Sequence, residues 1–234
     1  MMLDAASWDA LRLSLLVACT ATLVALPIAL WVAWLLARGQ FRGKALLSAL
    51  VHLPLVLPPV VTGYLLLIGF GRNGPIGGFL YDVFGIILAF RWTGAVLAAV
   101  IMGFPLMVRA MRLAIEAVDP KLEQAAATLG AKPTSVFASV TLPLIAPGIL
   151  AGAVMGFAKA IGEFGATITF VANIPGETQT LPSAIYSFLQ VPGGEDRAIA
   201  LVLWACVIAI TAVALSEWLA QRVAKRIRGI EGDT

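Results

Sequence analysis

The chain has 234 residues, of which 60% are apolar and only 12% are charged. A soluble domain carries about 25% charged residues, so this composition excludes a soluble globular protein and a disordered one. The formal charge of +3, with the 16 bases set between long apolar runs, also excludes a nucleic-acid binder built on a basic patch. What remains is an all-α polytopic membrane protein with a single domain over about residues 8–220.

An apolar run of about 20 residues crosses the hydrocarbon core as a helix. Five such runs are predicted, near residues 12–37, 46–70, 92–115, 147–172 and 198–220. The first reads as a permanent span rather than a signal peptide. Its leader has an acid, Asp4, and no base, and no small-residue cleavage site follows. Orientation follows from the bases. Arg38, Arg42 and Lys44 follow the first span, and Arg109, Arg112, Lys121 and Lys132 surround the loop after the third. Arg222, Lys225, Arg226 and Arg228 follow the fifth. These are 11 of the 16 bases. They predict an outside N-terminus, a cytoplasmic 116–146 loop and a cytoplasmic basic tail at 221–234. Trp8 and Trp92 then mark outer ends, and Trp34 and Trp218 inner ends.

The second run contains Pro54, Pro58 and Pro59. Proline removes an N–H and crowds a carbonyl one turn back. The exposed backbone survives in a bilayer only inside protein or beside water. Pro58 and Pro59 are therefore candidates to line a pathway, the alternative being a packed kink. His52 reads as a packed or interfacial side chain rather than a ligand. Two outer segments follow other rules. Residues 72–91 are Gly-rich, and residues 181–189 have the pattern of a short amphipathic helix lying at the membrane interface. Simple connection is the alternative for both.

The fourth run carries Gly148, Gly152 and Gly156 at four-residue intervals, a strip that lets another helix approach closely, within one chain or between two copies. Lys159 and Glu163 lie four apart on the same run and so face one another. A charge at mid-membrane costs about 2.5–3.5 kcal/mol on insertion scales, and pairing lowers that cost. The pair reads as a cavity-facing site or as a structural ion pair with a snorkelling lysine. Thr167 and Thr169 add hydroxyl donors.

Between the third and fourth runs, residues 119–143 have a pattern of their own. Asp119 suits an N-cap and Pro120 the first helical position. Leu122, Ala125, Ala126 and Leu129 recur at helical spacing, Gly130 suits a left-handed stop, and Pro133 restarts a helix that carries Val136, Phe137 and Val140. Pro143 and Pro147 are expected to break the chain before the fourth span. Two short half-apolar helices need something to pack on, either the ends of the spans or a soluble partner.

Several chemistries are missing from the pattern. The nearest approach to a P-loop, Gly39 to Lys44, is one residue short and is followed by Ala45. There is no Cys/His cluster for a metal and no G-x-S-x-G turn, and Cys19 and Cys206 fall inside apolar runs. No catalytic residue is assigned.

Gln124-Ala125-Ala126, Gly130, Val140 and Leu142-Pro143 resemble the EAA loop of importer-type ABC-transporter permeases. The family pattern is E-A-A, three residues, G, nine residues, I, one residue, L-P. Gln124 stands at the family's Glu position, with Glu123 one residue earlier, and Val140 replaces Ile. The stretches around His52 to Val61, Gly162 to Phe170 and Asn173 to Thr178 are similar to molybdate permeases within that family. The resemblance implies a homodimeric pathway that carries two copies of a separate ABC ATPase. ATP and Mg bind on that partner, and no cofactor binds on this chain. A periplasmic or lipid-anchored molybdate-binding protein would deliver the oxyanion, and the location would be the bacterial inner membrane. Leu122, Glu123, Gln124, Ala125, Ala126, Gly130, Phe137, Leu142 and Pro143 would then couple to the ATPase. Tungstate is a further candidate substrate. Sulfate permeases share the Gly-Glu-Phe-Gly region but tend to be longer, so five spans favour molybdate. A single intramembrane cation partnered by an acid suits a weakly binding conduit. The rival from another class, an ion-coupled secondary transporter, would show paired inverted repeats and more midplane acids.

Overall fold

The computed structural model describes residues 4–230, in its last helix without the side chains of 216, 220, 221 and 223–230. Among the described residues all regular structure is helical. Helix α1, Ala5–Arg38, begins where Asp4 accepts the N–H of Ser7 at 2.9 Å. Helices α2, Lys44–Val56, and α3, Pro59–Phe70, follow. Then come α4, Pro75–Phe84, and α5, Trp92–Glu116. Helices α6, Pro120–Thr128, and α7, Pro133–Val136, precede a π turn at Phe137–Thr141. Helices α8, Leu142–Ile161, and α9, Gly165–Val171, are separated by a short break. Helix α10, Leu181–Leu189, and helix α11, Glu195–Ile230, complete the chain.

The expected spans differ in two places. Residues 46–70 do not form one helix: α2 and α3 meet at a bend of 115°. Leu57 and Pro58 are extended there, because a residue before proline avoids the helical region and two successive prolines withdraw two N–H donors. Residues 147–172 are likewise not one span. The helical run is Pro133–Ile161, 29 residues, and α9 stands apart from it. Pro143 and Pro147 do not break this run. The N–H of Leu142 reaches back five residues to the Phe137 carbonyl, so the π turn absorbs the irregularity just before Pro143. Among the described residues four helices are long and apolar enough to cross a membrane, or five crossings if the bent pair counts as one. Of the tail at 221–234, α11 continues through Ile230, and 231–234 lie outside the described residues.

The core runs lengthwise between α1, α5 and α8. Ala18, Ala21, Ala25, Ala29 and Ala33 make a buried stripe along α1. In lipid, helices gain little from hydrophobicity and associate through close packing, which small residues allow. Near one end, Ala18 and Ala21 pack with Ala95, Ala98, Met102 and Phe170. Near the other, Ala29, Val32 and Leu36 pack with Met107, Met111, Ile115 and Ile145. The Gly148, Gly152 and Gly156 strip lies against α5. Cβ atoms placed on these glycines would meet Ala114, Met111 and Met107 respectively. The strip therefore serves packing within the chain.

Helix α10 is present, with one side packed on the chain and Tyr186 and Leu189 exposed on the other. Its Leu181 N–H donates to Ser14 Oγ of α1 at 2.6 Å, and Leu181, Ser183 and Ala184 are buried. An Asp4–Arg197 pair at 3.4 Å joins the starts of α1 and α11 at the same end of the molecule.

Candidate functional site

The two interrupted helices meet at their interruptions. Pro59 opens α3 and Gly165 opens α9, and a Cβ on Gly165 would lie 2.7 Å from the Pro59 Cβ. One turn further along α3, Gly63 rests on the backbone of Ala166, where a Cβ would lie 2.8 Å from the Ala166 Cα. Only glycine lets the backbones come this close.

Glu163 sits in the break between α8 and α9, not inside a helix. It is 3% exposed. Its Oε1 accepts the Ala166 N–H at 2.9 Å, which caps the first turn of α9, and its Oε2 receives Lys159 Nζ at 2.5 Å. The carboxylate therefore ties the end of α8 to the start of α9, and the lysine, less buried, balances its charge. A buried ion needs this double satisfaction, because an unpaired one would be strongly destabilising.

Thr167, on α9, is buried, as is Thr62 on α3. Thr169 does not present a free donor as expected: its Oγ1 donates to the Gly165 carbonyl at 2.9 Å, the usual outlet for a hydroxyl inside a helix. Thr62, missed in the sequence, has a buried Oγ1 with no partner among the described residues. The signal was there, a Thr-Gly pair one turn after the prolines. Pro58 and Pro59 are exposed at this junction. His52 Nδ1 lies 2.8 Å from the Ser48 carbonyl one turn back on its own helix.

The 119–143 segment forms a second site. Asp119 Oδ1 accepts the Lys121 N–H at 2.9 Å and starts α6. At its other end Ala131 N–H reaches the Ala126 carbonyl and Gly130 N–H the Ala127 carbonyl, a Schellman closure with Gly130 at φ +83°. Nothing on α6 is buried. Leu122 is 50% exposed and Leu129 88%, so the apolar face does not pack on the spans. Gln124 and Ala125 are exposed and Ala126 half-buried. Glu123 turns back to the body of the protein, towards Arg38 and Thr141. Phe137 and Leu142 are half-buried and Pro143 is exposed. Arg38 and Thr141 were not singled out in the sequence, since neither belongs to a spacing pattern.

A cleft of about 1190 Å³ opens at the other end, lined by Arg72, Asn73, Phe90, Arg91 and Glu177 among others. Arg72 stacks over the Tyr81 ring, 4.4 Å from its centroid, and donates to its hydroxyl at 3.1 Å. Phe90 holds a left-handed backbone at φ +59°. Among the described residues no His, Cys, Asp and Glu groups come together to hold a metal ion.

Comparison with known proteins adds four matches. Residues 25–229 match the family described as "Binding-protein-dependent transport system inner membrane component". The chain is 58% identical over 221 residues to the molybdenum transport system permease protein ModB of Escherichia coli K12, covering 94% of this chain and 96% of that one. It is 56% identical over 219 residues to ModB of Haemophilus influenzae, with the same coverages of 94% and 96%. In fold it is similar to a chain of the bacterial alginate ABC transporter, solved in complex with a pentasaccharide-bound periplasmic protein. The TM-score is 0.76 at 17% identity, over 95% of this chain and 81% of that chain.

Proposed function

Because the chain belongs to the binding-protein-dependent transport system inner membrane component family, we propose that it is the membrane-spanning permease of an ATP-driven molybdate importer. It is a multi-pass membrane protein and a transport subunit rather than an enzyme. Two copies form the pathway in the bacterial inner membrane. Each docks an ABC ATPase that binds ATP and Mg, and a periplasmic or lipid-anchored binding protein supplies the oxyanion.

The observation that carries this reading is α6. A short helix with Leu122 and Leu129 exposed, nothing of its own buried and both ends capped is a rigid apolar knob awaiting a partner. The excess of bases puts this end of the molecule in the cytoplasm, where an ATPase is found. Leu122, Gln124, Ala125, Ala126 and Gly130 form the docking face, with Phe137, Leu142 and Pro143 leading from it into α8.

The transport step follows from the junction. Docking of α6 biases the spans only if the ATPase grips it differently in its two states. Helices α3 and α9 share a contact without clearance, so they move as one body, and the Pro58–Pro59 and Gly162–Phe164 breaks on either side act as its hinges. A second copy brings the same exposed prolines to the opposite wall. Lys159 is neutralised by Glu163, so the passage offers polar groups without a fixed net charge, and a dianion can leave as readily as it enters. Selection then falls to the binding protein.

The test is purification with the candidate ATPase, reconstitution into vesicles, and binding-protein-stimulated ATP hydrolysis and uptake with molybdate, tungstate and sulfate. Molybdate-dependent uptake is expected. Uptake of sulfate alone would replace this reading with that of a sulfate permease, and uptake driven by an ion gradient without an ATPase would replace it with that of a secondary transporter.

A further inference from the structure

The π turn and the end of α1 both reach Glu123 of α6. Its Oε1 accepts from Thr141 Oγ1 in the π turn at 2.8 Å and lies 3.5 Å from Arg38 Nη2 at the end of α1. The same Nη2 donates to the Val118 carbonyl at 2.9 Å, at the end of the α5 connection. Thr141 is 2% exposed. Arg38 Nε is buried and has no partner among the described residues.

The geometry is slack where it matters. A charge-assisted N–H···O contact normally closes to about 2.7–2.9 Å, and Arg can offer a carboxylate two parallel donors. Here one donor stands at 3.5 Å and the neighbouring Nε is idle. A buried donor left unsatisfied is unfavourable, so a small approach of α6 to α1 would be rewarded by a second bond. Thr141 belongs to a π turn, an interruption of regular helix of the kind found frequently at functional sites. Since α6 buries nothing, these polar contacts are what link it to the spans.

We propose that Arg38, Glu123 and Thr141 form a clasp that passes movement of α6 to α1 and α8 together, tightening from one long contact to a bidentate pair through Nε as the ATPase engages. This rests on the ATPase-docking reading of α6. Glu123 is a positioning residue: it contacts other parts of the permease rather than oxyanion or nucleotide. Its place one residue before the exposed Gln124 lets the same helix turn one polar group outward and the other inward.

The test uses the complete complex of permease, ATPase and binding protein in vesicles, with molybdate uptake and ATP hydrolysis read together. Arg38→Gln, Glu123→Gln and Thr141→Val are expected to retain the ATPase on purification and to hydrolyse ATP. The ATP used per molybdate imported rises about fivefold or more, the range of a lost coupling between sites. The Arg38→Gln/Glu123→Gln double variant is expected to be no worse than the worse single one, since both break the same contact. Arg38→Lys keeps the charge but lacks Nε, and is also expected to be uncoupled. Wild-type ATP per molybdate in these variants, or multiplicative effects in the double variant, would overturn the clasp. So would loss of the ATPase from Glu123→Gln, which would make Glu123 a docking contact instead. A wild-type complex that imports no oxyanion would overturn the functional reading and the clasp with it, whereas coupled variants beside a coupled wild type overturn the clasp alone.

Discussion

Gly165, the first residue of α9, rests directly on Pro59, the first residue of α3, with room for no side chain between them. Each residue sits just after a helix interruption, so the two breaks are locked together through one contact. This relationship joins α3 and α9 beside the long helices α1, α5 and α8.

Gly165→Ala places a methyl 2.7 Å from the Pro59 Cβ and forces α3 and α9 apart. Overpacking of this kind costs about 1–3 kcal/mol. Molybdate uptake is expected to fall sharply while the protein still inserts and binds its ATPase. The control is Gly69→Ala on α3, whose Cβ would meet nothing within 4 Å. Near-normal uptake is expected there. Equal behaviour of the two variants in a transport assay would refute the locked junction.

Glu163→Ala strips α9 of its cap and leaves Lys159 without its counter-charge. Breaking a buried pair costs about 3–5 kcal/mol when the remaining charge stays buried. Lys159→Ala removes the more exposed partner and leaves the Ala166 N–H bond in place. Thermal unfolding in detergent is expected to show the larger loss for Glu163→Ala, and the reverse order would contradict the capping role.

Lys159→Gln is expected to leave the choice among molybdate, tungstate and sulfate unchanged, because the lysine is already paired with Glu163. Competition uptake assays decide this. A switch from molybdate to sulfate in that variant would place selectivity on this chain.

Gly130 has φ +83°, and a Cβ there meets nothing within 4 Å of its own chain. Gly130→Asp therefore strains the loop by about 1–2 kcal/mol and sets a charge on the proposed docking face. Uptake and ATPase co-purification are expected to be lost while membrane insertion continues. Normal transport by Gly130→Asp would remove α6 from the ATPase interface.

Asp4 has its carboxyl held below the usual range by its bonds to Ser7 and the nearby Arg197. A pKa lowered by folding means that the carboxylate stabilises the fold above its unfolded pKa, and that this is lost as pH falls through the folded value. Asp4→Asn is expected to flatten the acid side of a stability–pH profile in detergent, below about pH 4. An unchanged acid limb would show that ionisation of Asp4 contributes nothing to stability.

Two of the five expected spans, 46–70 and 147–172, are each broken in the structure, whereas the membrane class, the charge asymmetry and the two-helix 119–143 segment were legible in the chain itself. Each rests on composition, helical spacing or capping chemistry acting within a few residues. Asp119 and Gly130 bound α6 through contacts that span only five residues at most. Tertiary structure alone decided what the irregular positions do. Whether Pro58–Pro59 makes a kink or a 115° corner depends on what receives the emerging chain, and here that is Gly165. Whether the Gly148–Gly152–Gly156 strip faces its own chain or another depends on where Met107 and Met111 of α5 lie. The meeting of Arg38, Glu123 and Thr141 joins residues up to 103 positions apart, and no local preference encodes it. Periodicity reports which face of a helix is apolar, but a contact between two helices exists only once packing has chosen their separation and register.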